Sequence, residues 1–407
     1  MNLKMGAVEN LWKSNMGIAS LNCDISNLGG HMMKGYYIHE SCMANGRMVI
    51  PGVQKKITEQ ENMLATFFEV KDITLEMKYT EGISKVLKRI PFGPDVFDWN
   101  TTIKQIKKPD FLYIRRLLAC DRGFYRSLQR LKQIYPNLKI LLEVPTYPYD
   151  KETYSKIKNI SMFPEEVFYR NRLHRVVDRI ITYSDDKEIF GIPTISIQNG
   201  VDVKNQPIRK EKIDKSEIHM LAVASFQRAH GYERIIKGLS EYYKNGGTRK
   251  IVMDMVGSGY ELDLYKKMTE SLKLQEHVLF WGPKYGDELN SFFDCADIGL
   301  APFGFYKHGI EVSSALKLRE YLARGLPVVA GSKQDLFTEE TFPYYLEFPN
   351  NDSVVEITKI IAFYDRVYHS DETYEMVIQN IRTYAEENVT WKKTMAPIIE
   401  FLQTEQN

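Results

Sequence analysis

The chain has 407 residues, which is too long for one ordinary core and suits two domains of about 150 to 200 residues each. With 43% hydrophobic residues, 26% charged residues and a formal net charge of +1, it is neither a strongly basic nucleic-acid binder nor an acidic disordered tail. The four cysteines are widely spaced, which favours reduced thiols over a disulfide framework or a zinc site; they are Cys23, Cys42, Cys120 and Cys295.

The N-terminal stretch, residues 1–32, shows neither helical nor strand periodicity. We predict a poorly ordered extension there, with order beginning at Lys34. Charged residues interrupt this stretch where a signal peptide requires an apolar core, and no segment has the roughly 18 to 20 apolar residues that span a bilayer. The sequence therefore indicates a soluble cytoplasmic protein, and it leaves peripheral membrane contact open.

The first half of the chain alternates apolar strands with helical segments. A strand at 34–39 is followed by a glycine-containing loop that ends at Gly52. One face of the next helix carries Val53, Ile57, Leu64 and Phe67. Further strands are predicted at 111–114, 139–144 and 179–184, with a helix at 163–177. This alternation favours a parallel sheet, and the opening strand, glycine loop and helix are typical of a Rossmann-like unit.

A polar, charge-rich stretch at 199–217 predicts a linker, and a second alternation follows it. Strands are predicted at 218–224, 250–256, 277–281, 297–301 and 326–330. Helices are predicted at 231–244, 260–272, 286–295 and 313–324. The predicted fold class is therefore α/β, with two Rossmann-like doubly wound domains facing across a cleft.

The clearest functional signal is the segment from Ser313 to Val329, which reads SSALKLREYLARGLPVV. It resembles the donor-binding segment of the retaining glycosyltransferases of family 4, also called glycosyl transferases group 1, of the type that builds bacterial polysaccharides. The similarity covers roughly residues 180–335 well and the N-terminal half loosely. The resemblance implies the GT-B fold, in which two Rossmann-like domains enclose the reaction site.

Lys317 and Glu320 carry the main site prediction. In this family the N-terminus of the helix faces the diphosphate of the nucleotide-sugar donor, where free N–H groups, the helix dipole and Lys317 favour an anion. Glu320 lies on nearly the same face, and the resemblance implies that it accepts hydrogen bonds from the ribose hydroxyls. The alternative is a surface helix with solvated Lys317, Arg319 and Glu320, but the Gly325 turn and the other family-like segments favour the donor site.

The residues just before and at the start of this helix are further donor-binding candidates. The family pattern would place a first glutamate at position 312, whereas the acid stands at Glu311. The resemblance therefore assigns contacts with the sugar and diphosphate to Ser313, Ser314, Leu316 and Lys317, and keeps Glu311 as a displaced candidate.

Family members often place Arg and Lys in the loop that opens the second domain, where they hold the diphosphate. Here Ser225 stands in the Arg place, and His230 stands in the Lys place directly before Gly231. Arg228 is predicted to substitute, because a loop arginine ahead of a helix suits bidentate phosphate binding. For His230, packing or capping of the helix is an equal alternative.

Two further loops carry glycines at strand ends. Gly257 and Gly259 would let the backbone approach a ligand closely, although tight turning explains them equally well. Gly282 ends the next strand and is followed by Lys284. In the family this loop wraps the nucleotide base through main-chain groups.

The acceptor-side candidates are Gly52, Arg115, Arg116 and Glu143. The arginine pair follows a predicted strand and would suit a phosphorylated acceptor, with solvated arginines as an equal alternative. Glu143 is the nearest polar residue in the segment where other family members carry a histidine. A buried structural carboxylate is the alternative for Glu143.

The resemblance implies a retaining transfer of a hexose from a nucleotide-diphosphate sugar to a glycan or lipid-linked saccharide in surface polysaccharide biosynthesis, at the inner face of the membrane. Lys317, Glu320 and Arg228 would carry the catalysis. The chain has no D-x-D triad, so no metal and no other cofactor is expected, with the donor as co-substrate. No nucleic-acid partner is expected.

The implied organisation is an acceptor domain at 33–205, a donor domain at 206–375 and C-terminal helices at 376–407 that cross back to the first domain. Two alternatives share this fold. One is a sugar-nucleotide epimerase, and the other is a non-catalytic, degenerate protein that only binds sugar nucleotides. The missing Arg, Lys and His of the common family pattern keep the second alternative open.

Overall fold

The computed structural model describes residues 32–41, 43–44, 47–48, 51–76, 90–117, 120–150, 161–212, 216–369 and 372–404. The predicted disordered extension at residues 1–32 lies, except for Met32, outside the described residues. Residues Lys34–Asn407 belong to one compact unit, and the architecture below is that of this unit.

Among the described residues, the N-terminal half contains nine strands: β1 (Lys34–Glu40), β2 (Met43–Ala44), β3 (Arg47–Met48), β4 (Glu69–Leu75), β5 (Phe111–Arg115), β6 (Lys139–Val144), β7 (Arg179–Thr182), β8 (Glu188–Ile189) and β9 (Ile192–Ser196). Seven form one sheet in the order β4-β1-β5-β6-β7-β9-β8, and every pairing is parallel except β8 with β9. Strands β2 and β3 form a separate antiparallel pair. The central strands β5 and β6 are nearly continuous apolar runs, as expected of a sheet covered on both faces.

In the described part of this half, four helices accompany the sheet: α1 (Pro51–Ala65), α2 (Trp99–Gln105), α3 (Arg122–Ile134) and α4 (Phe163–Arg170). Helix α3 begins after Asp121, whose carboxylate accepts the Phe124 N–H at 2.8 Å, and it buries Leu128 against β5 and β6. Helix α1 lies on the opposite face, because Gln60 accepts a hydrogen bond from the Tyr37 hydroxyl of β1 at 2.9 Å. The two faces of the sheet are therefore covered by different helices.

The C-terminal half contains β10 (Ile218–Ser225), β11 (Ile251–Ser258), β12 (Val278–Gly282), β13 (Ile298–Leu300), β14 (Val312–Ser313), β15 (Val328–Ala330), β16 (Lys333–Gln334) and β17 (Tyr345–Glu347). Six of them form a fully parallel sheet in the order β12-β11-β10-β13-β15-β17, and β14 pairs separately with β16. The helices between these strands are α5 (Glu233–Lys244), α6 (Leu262–Ser271), α7 (Gly286–Cys295) and α8 (Leu316–Ala323).

The chain ends in α9 (Ile357–Tyr368), α10 (Tyr374–Asn388), α11 (Trp391–Thr394) and α12 (Ala396–Gln403). These C-terminal helices contact the N-terminal half through hydrogen bonds. The indole N–H of Trp391 donates to Glu59 Oε2 at 2.6 Å, which joins α11 to α1. Lys139 Nζ, at the start of β6, donates to the carbonyl oxygens of Leu402 and Thr404 at 2.8 and 2.6 Å.

The predicted α/β class with two parallel sheets is confirmed, and the errors lie in individual elements. The predicted helix at 163–177 ends at Arg170, and Leu173–Arg175 forms a separate 3₁₀ turn. Strand β4 was not predicted, because it lies at the sheet edge and only Ile73 and Leu75 are buried. At the end of α1, Phe68 rather than Phe67 is the buried phenylalanine.

The polar stretch at 199–217, in its described residues 199–212 and 216–217, mixes exposed and buried positions. Val201 and Val203 are buried. Arg209 is also buried, and its guanidinium donates to the carbonyl oxygens of Ala296 and Gly325 at 2.8 and 2.9 Å. The charge of Arg209 therefore satisfies buried carbonyl groups, whereas Lys204, Lys210 and Glu211 of the same segment are exposed.

Candidate functional site

A cavity lies between α1 of the N-terminal half and α8 of the C-terminal half. Its unfilled volume is about 370 Å³, part of it open to solvent. Three segments line it: Gly52, Lys55, Lys56 and Glu59 of α1, Gly200 and Val201 between the halves, and Leu316, Lys317 and Glu320 of α8. Four residues singled out from the sequence, Gly52, Leu316, Lys317 and Glu320, are therefore brought together.

Glu320 is the acceptor at the centre of this cavity. Its Oε1 accepts a hydrogen bond from Lys55 Nζ and its Oε2 one from Lys317 Nζ, both at 2.8 Å. Burial acts to raise the pKa of the Glu320 carboxyl, but the ammonium groups of Lys317 and Lys55 outweigh it and lower the pKa to about 2. Glu320 is therefore an anion at neutral pH, held between two cations from opposite halves.

Helix α8 begins at Leu316, after the N-cap residue Ala315, so the prediction that it begins at Ser313 is wrong. Ser313 belongs instead to β14, where its carbonyl oxygen accepts the Asp335 N–H at 3.1 Å. The Ser314 hydroxyl oxygen accepts the Asn199 N–H at 3.1 Å. These two serines hold the strand before the helix in place, and neither lines the cavity.

Arg319 anchors α8 from its buried side. The side chain is fully buried; Nε donates to the Asn199 carbonyl oxygen at 3.1 Å and Nη1 to the Ala315 carbonyl oxygen at 3.2 Å. An ion pair with Asp335 completes the set. The alternative of a solvated Arg319 is therefore wrong, and this buried clamp fixes the direction in which Lys317 and Glu320 project.

The loop after β10 contains the 3₁₀ turn Arg228–His230, close to Lys317. His230 Nδ1 accepts the Gln227 N–H at 2.9 Å, and its ring stacks on Tyr232 with a centroid separation of 5.7 Å. Burial lowers the pKa of His230 to about 4, and the charge of Lys317 contributes in the same direction. The capping contact weighed as an alternative is present, and the imidazole is neutral at physiological pH.

Gly231 is required by backbone packing. It has φ +61°, and a Cβ atom at this position would lie 2.5 Å from the Gly304 backbone nitrogen. Two other donor-site candidates lie at the surface. The side chains of Arg228 and Glu311 are exposed, and no ion pair joins either to another described residue.

The glycines at the other strand ends separate into two kinds. A Cβ atom on Gly257 would lie 1.9 Å from the Ala224 carbonyl oxygen, and one on Gly259 would lie 2.2 Å from that of Phe226. Contact with the chain segment at the end of β10 therefore explains both glycines. Gly282 has φ +67° with open space around it, and Lys284 pairs with Glu288 at 3.4 Å on the exposed start of α7.

Glu143, at the end of β6, lies at the centre of a buried polar network below the cavity. Its Oε1 accepts from Arg115 Nη1 at 2.7 Å, and Lys56 Nζ lies 3.2 Å away. The Tyr113 hydroxyl donates to its Oε2 at 2.7 Å. The carboxylate is completely buried, as the structural alternative predicted. Burial lowers the pKa of Lys56 to about 7, against the pull of Glu143.

Arg115 and Arg116 point to opposite sides of the sheet, so they do not form one phosphate clamp. Arg115 pairs with Glu143 in the network above. Arg116 stacks on the Tyr149 ring at 3.5 Å and lies 3.9 Å from Glu166, beside a second, apolar cavity. Both side chains are largely buried, at 13% and 18% exposure, so the alternative of solvated arginines is wrong.

The sequence reasoning did not find four residues around the main cavity: Lys55, Lys56, Glu59 and Trp391. The adjacent lysines near the start of α1, the helix that itself contains Gly52, were the available signal, because successive helical residues point about 100° apart. Both lysines line the cavity, but Lys55 reaches across it to Glu320, while Lys56 reaches into the buried network around Glu143. Trp391 gave no sequence signal, since its contact with Glu59 depends on the return of the chain to the first half.

Among the described residues, no helix combines the length and the apolar character needed to cross a bilayer. The same residues contain no group of three or more His, Cys, Asp or Glu side chains that could hold a metal ion.

Residues 203–382 match the protein family described as glycosyl transferases group 1. The sequence matches none of the curated proteins with which it was compared. Among solved structures, a glycosyltransferase from Rickettsia africae is similar with a TM-score of 0.58 and 14% identity, over 92% of this chain and 98% of that one.

Two further solved structures are similar over almost their whole length. The HepE protein of Anabaena in complex with UDP has a TM-score of 0.60 and 12% identity, over 91% of this chain and 99% of that one. The sucrose-phosphate synthase of Thermosynechococcus elongatus has a TM-score of 0.58 and 13% identity, over 91% of this chain and 98% of that one. The fold is therefore GT-B, and the chain, which carries a group 1 glycosyltransferase domain, is a glycosyltransferase.

Proposed function

We propose that the chain transfers a hexose, with retention of configuration, from a nucleotide-diphosphate sugar to a glycan or lipid-linked saccharide acceptor. The observation that carries the proposal is the pair of Lys317 and Glu320 on one face of α8 inside the cavity. Lys317 supplies the positive charge that suits a diphosphate, and Glu320 supplies two acceptor oxygens that suit a ribose diol. The HepE complex with UDP supports a nucleotide sugar as donor.

The donor's leaving group would lie at the start of α8. As the bond to the sugar breaks, positive charge develops at the anomeric carbon and negative charge on the departing diphosphate. The free N–H groups of the first helical turn and the ammonium of Lys317 would stabilise that negative charge. Arg228, exposed in the neighbouring loop, would be a further cation for the same phosphates.

The acceptor would enter from the side of α1. Gly52 lines the cavity opposite Leu316 and leaves room there, since a Cβ atom on Gly52 would meet nothing within 4 Å. Glu143 and Arg115 lie deeper and are paired to each other. Their proposed role is therefore to hold Lys56 and the base of the acceptor side, without direct contact with the reacting atoms.

The setting of the reaction is proposed from the family resemblance. The chain would act in family 4, in surface polysaccharide biosynthesis, from the cytoplasmic side and at the inner face of the membrane. The donor site would work without a metal ion, because the chain has no D-x-D triad and the lysines that line the cavity can supply the positive charge.

The test is a panel of uridine- and guanosine-diphosphate sugars incubated with the purified full chain. Slow release of nucleoside diphosphate from one donor, undiminished by EDTA, is the expected result. Conversion of a donor to its epimer without release would indicate an epimerase on this fold. Binding without turnover, even with saccharide acceptors, would indicate a non-catalytic sugar-nucleotide-binding protein.

A further inference from the structure

We infer that Lys55, a residue of the N-terminal half, is a second ligand of the donor's diphosphate and exchanges Glu320 for a phosphate oxygen when the donor binds. The inference rests on the proposed function, because it takes Lys317 and Glu320 as the donor site. It assigns a positioning role to a residue on the opposite side of the cavity from the helix that carries that site.

The geometry of Lys55 permits this exchange. Its side chain is 46% exposed, and its ammonium reaches across the cavity to Glu320 Oε1 at 2.8 Å. Its other carboxylate neighbour is Glu59, one turn along α1 and 3.9 Å away. The Trp391 indole donates to Glu59 Oε2, whereas Lys55 lies nearer Oε1 and beyond hydrogen-bond distance of it. A half-exposed lysine with four rotatable side-chain bonds can turn towards a new anion without movement of the backbone.

Donor binding would change the contacts of Glu320. Its Oε1 accepts a hydrogen bond from Lys55 and its Oε2 one from Lys317. Each carboxylate oxygen has two lone pairs, so a ribose diol that donates to both oxygens would compete there with the two ammonium groups. Lys317 lies on the same helix as Glu320 and stays within reach, whereas Lys55 belongs to the other half. Lys55 is therefore the partner that leaves.

The charge around the cavity indicates where Lys55 goes. The charged side chains that line the cavity are Lys55, Lys56 and Lys317 against Glu59 and Glu320, which leaves a formal surplus of one positive charge. The deeper carboxylate of Glu143 does not cancel this surplus, because Lys56 shares it with Arg115. A diphosphate beside the start of α8 would neutralise this surplus and replace the carboxylate that Lys55 gives up.

The experiment is calorimetric titration of the full chain with UDP, GDP and the matching nucleosides. The variants are Lys55→Gln, Lys55→Arg and, as a control, Lys71→Gln. Lys71 is an exposed lysine of the same half, near Glu69 at 3.7 Å and away from the cavity lining. We expect Lys55→Gln to weaken binding of the preferred nucleoside diphosphate about tenfold or more, with little change for its nucleoside. Lys55→Arg should keep most of the affinity, and Lys71→Gln all of it.

Three outcomes separate the possibilities. Unchanged diphosphate binding in Lys55→Gln would overturn the inference and leave the proposed function standing. Tighter binding would also overturn it, because Lys55 would then only compete with the ribose for Glu320. A wild-type chain that binds neither UDP nor GDP, while remaining folded, would overturn the proposed donor site itself and the inference with it.

Discussion

The Nζ atom of Lys317 lies 2.8 Å from Oε2 of Glu320, one turn further along the same helix. This short separation places a cation and a pair of acceptor oxygens side by side in the cavity. Arg319, between them in sequence, is fully buried on the other side of the helix. The eight-residue helix α8 thus directs Arg319 towards the core, and Lys317 and Glu320 towards the cavity.

Removal of the Lys317 ammonium should slow the reaction strongly. We expect Lys317→Ala to lower kcat for donor hydrolysis about 100-fold, because the charge on the departing diphosphate loses a preorganised partner. The control is Lys359→Ala, which removes a lysine from a similar exposed pair with Glu356 at 3.0 Å. The measurement is steady-state release of nucleoside diphosphate. Equal rates in the two variants would contradict the assignment of Lys317.

Replacement of Glu320 should change how the enzyme selects the ribose. Wild type should prefer the natural donor over its 2′-deoxy and 3′-deoxy forms, because a buried acceptor left without its hydroxyl donor is costly. In Glu320→Gln, we expect kcat/KM for the natural donor to fall by about tenfold or more and this preference to shrink. Glu356→Gln is the matched control. A preference that survives intact in Glu320→Gln would show that another residue recognises the ribose.

Neutralisation of Glu143 should destabilise the N-terminal half. Glu143→Gln keeps the shape of the side chain but leaves the buried charges of Lys56 and Arg115 without their partner. A loss of about 3 to 5 kcal/mol in the free energy of unfolding is expected. Glu188→Gln, at an exposed position, should change it by less than about 0.5 kcal/mol. Urea denaturation checks both values, and a loss in Glu143→Gln as small as in the control would refute the network.

His230 should lower the free energy of unfolding as the pH falls. Its folded-state pKa is about 4 and its ordinary value is 6.5, so the unfolded chain binds the proton more tightly. Stability is therefore lost as pH falls below 6.5, by on the order of 2 kcal/mol at about pH 5. In His230→Asn, which cannot titrate, this part of the loss should vanish. Denaturation curves at about pH 5 and pH 7.5 measure it, and equal pH dependence in both proteins would contradict a neutral His230 imidazole in the folded state.

The sequence predicted what depends on local pattern. Alternating apolar strands and helices predicted both parallel sheets, and helix 286–295 was predicted with its observed ends. Lys317 and Glu320 were predicted because the one short segment that contains them and the following Gly325 turn resembles the donor-binding segment of family 4. Arg319 was weighed as solvated in one alternative, since helical spacing alone does not tell which side of α8 faces the core.

Features that depend on distant parts of the chain were not predicted. The contact of Lys55 with Glu320 joins residues 265 positions apart, and that of Trp391 with Glu59 joins residues 332 apart. The start of α8 was placed too early, because Ser313 is drawn into a strand by its pairing with residues 333–334. In each case a partner far along the chain decides the local structure, and periodicity does not identify that partner.

The most direct test of the donor site is a crystal structure of the full chain with the nucleoside diphosphate that the donor panel selects. We expect a phosphate oxygen within about 3 Å of Lys317 Nζ and the ribose hydroxyls within the same distance of the Glu320 carboxylate. A nucleotide bound elsewhere, with Glu320 still held between Lys317 and Lys55, would contradict the account.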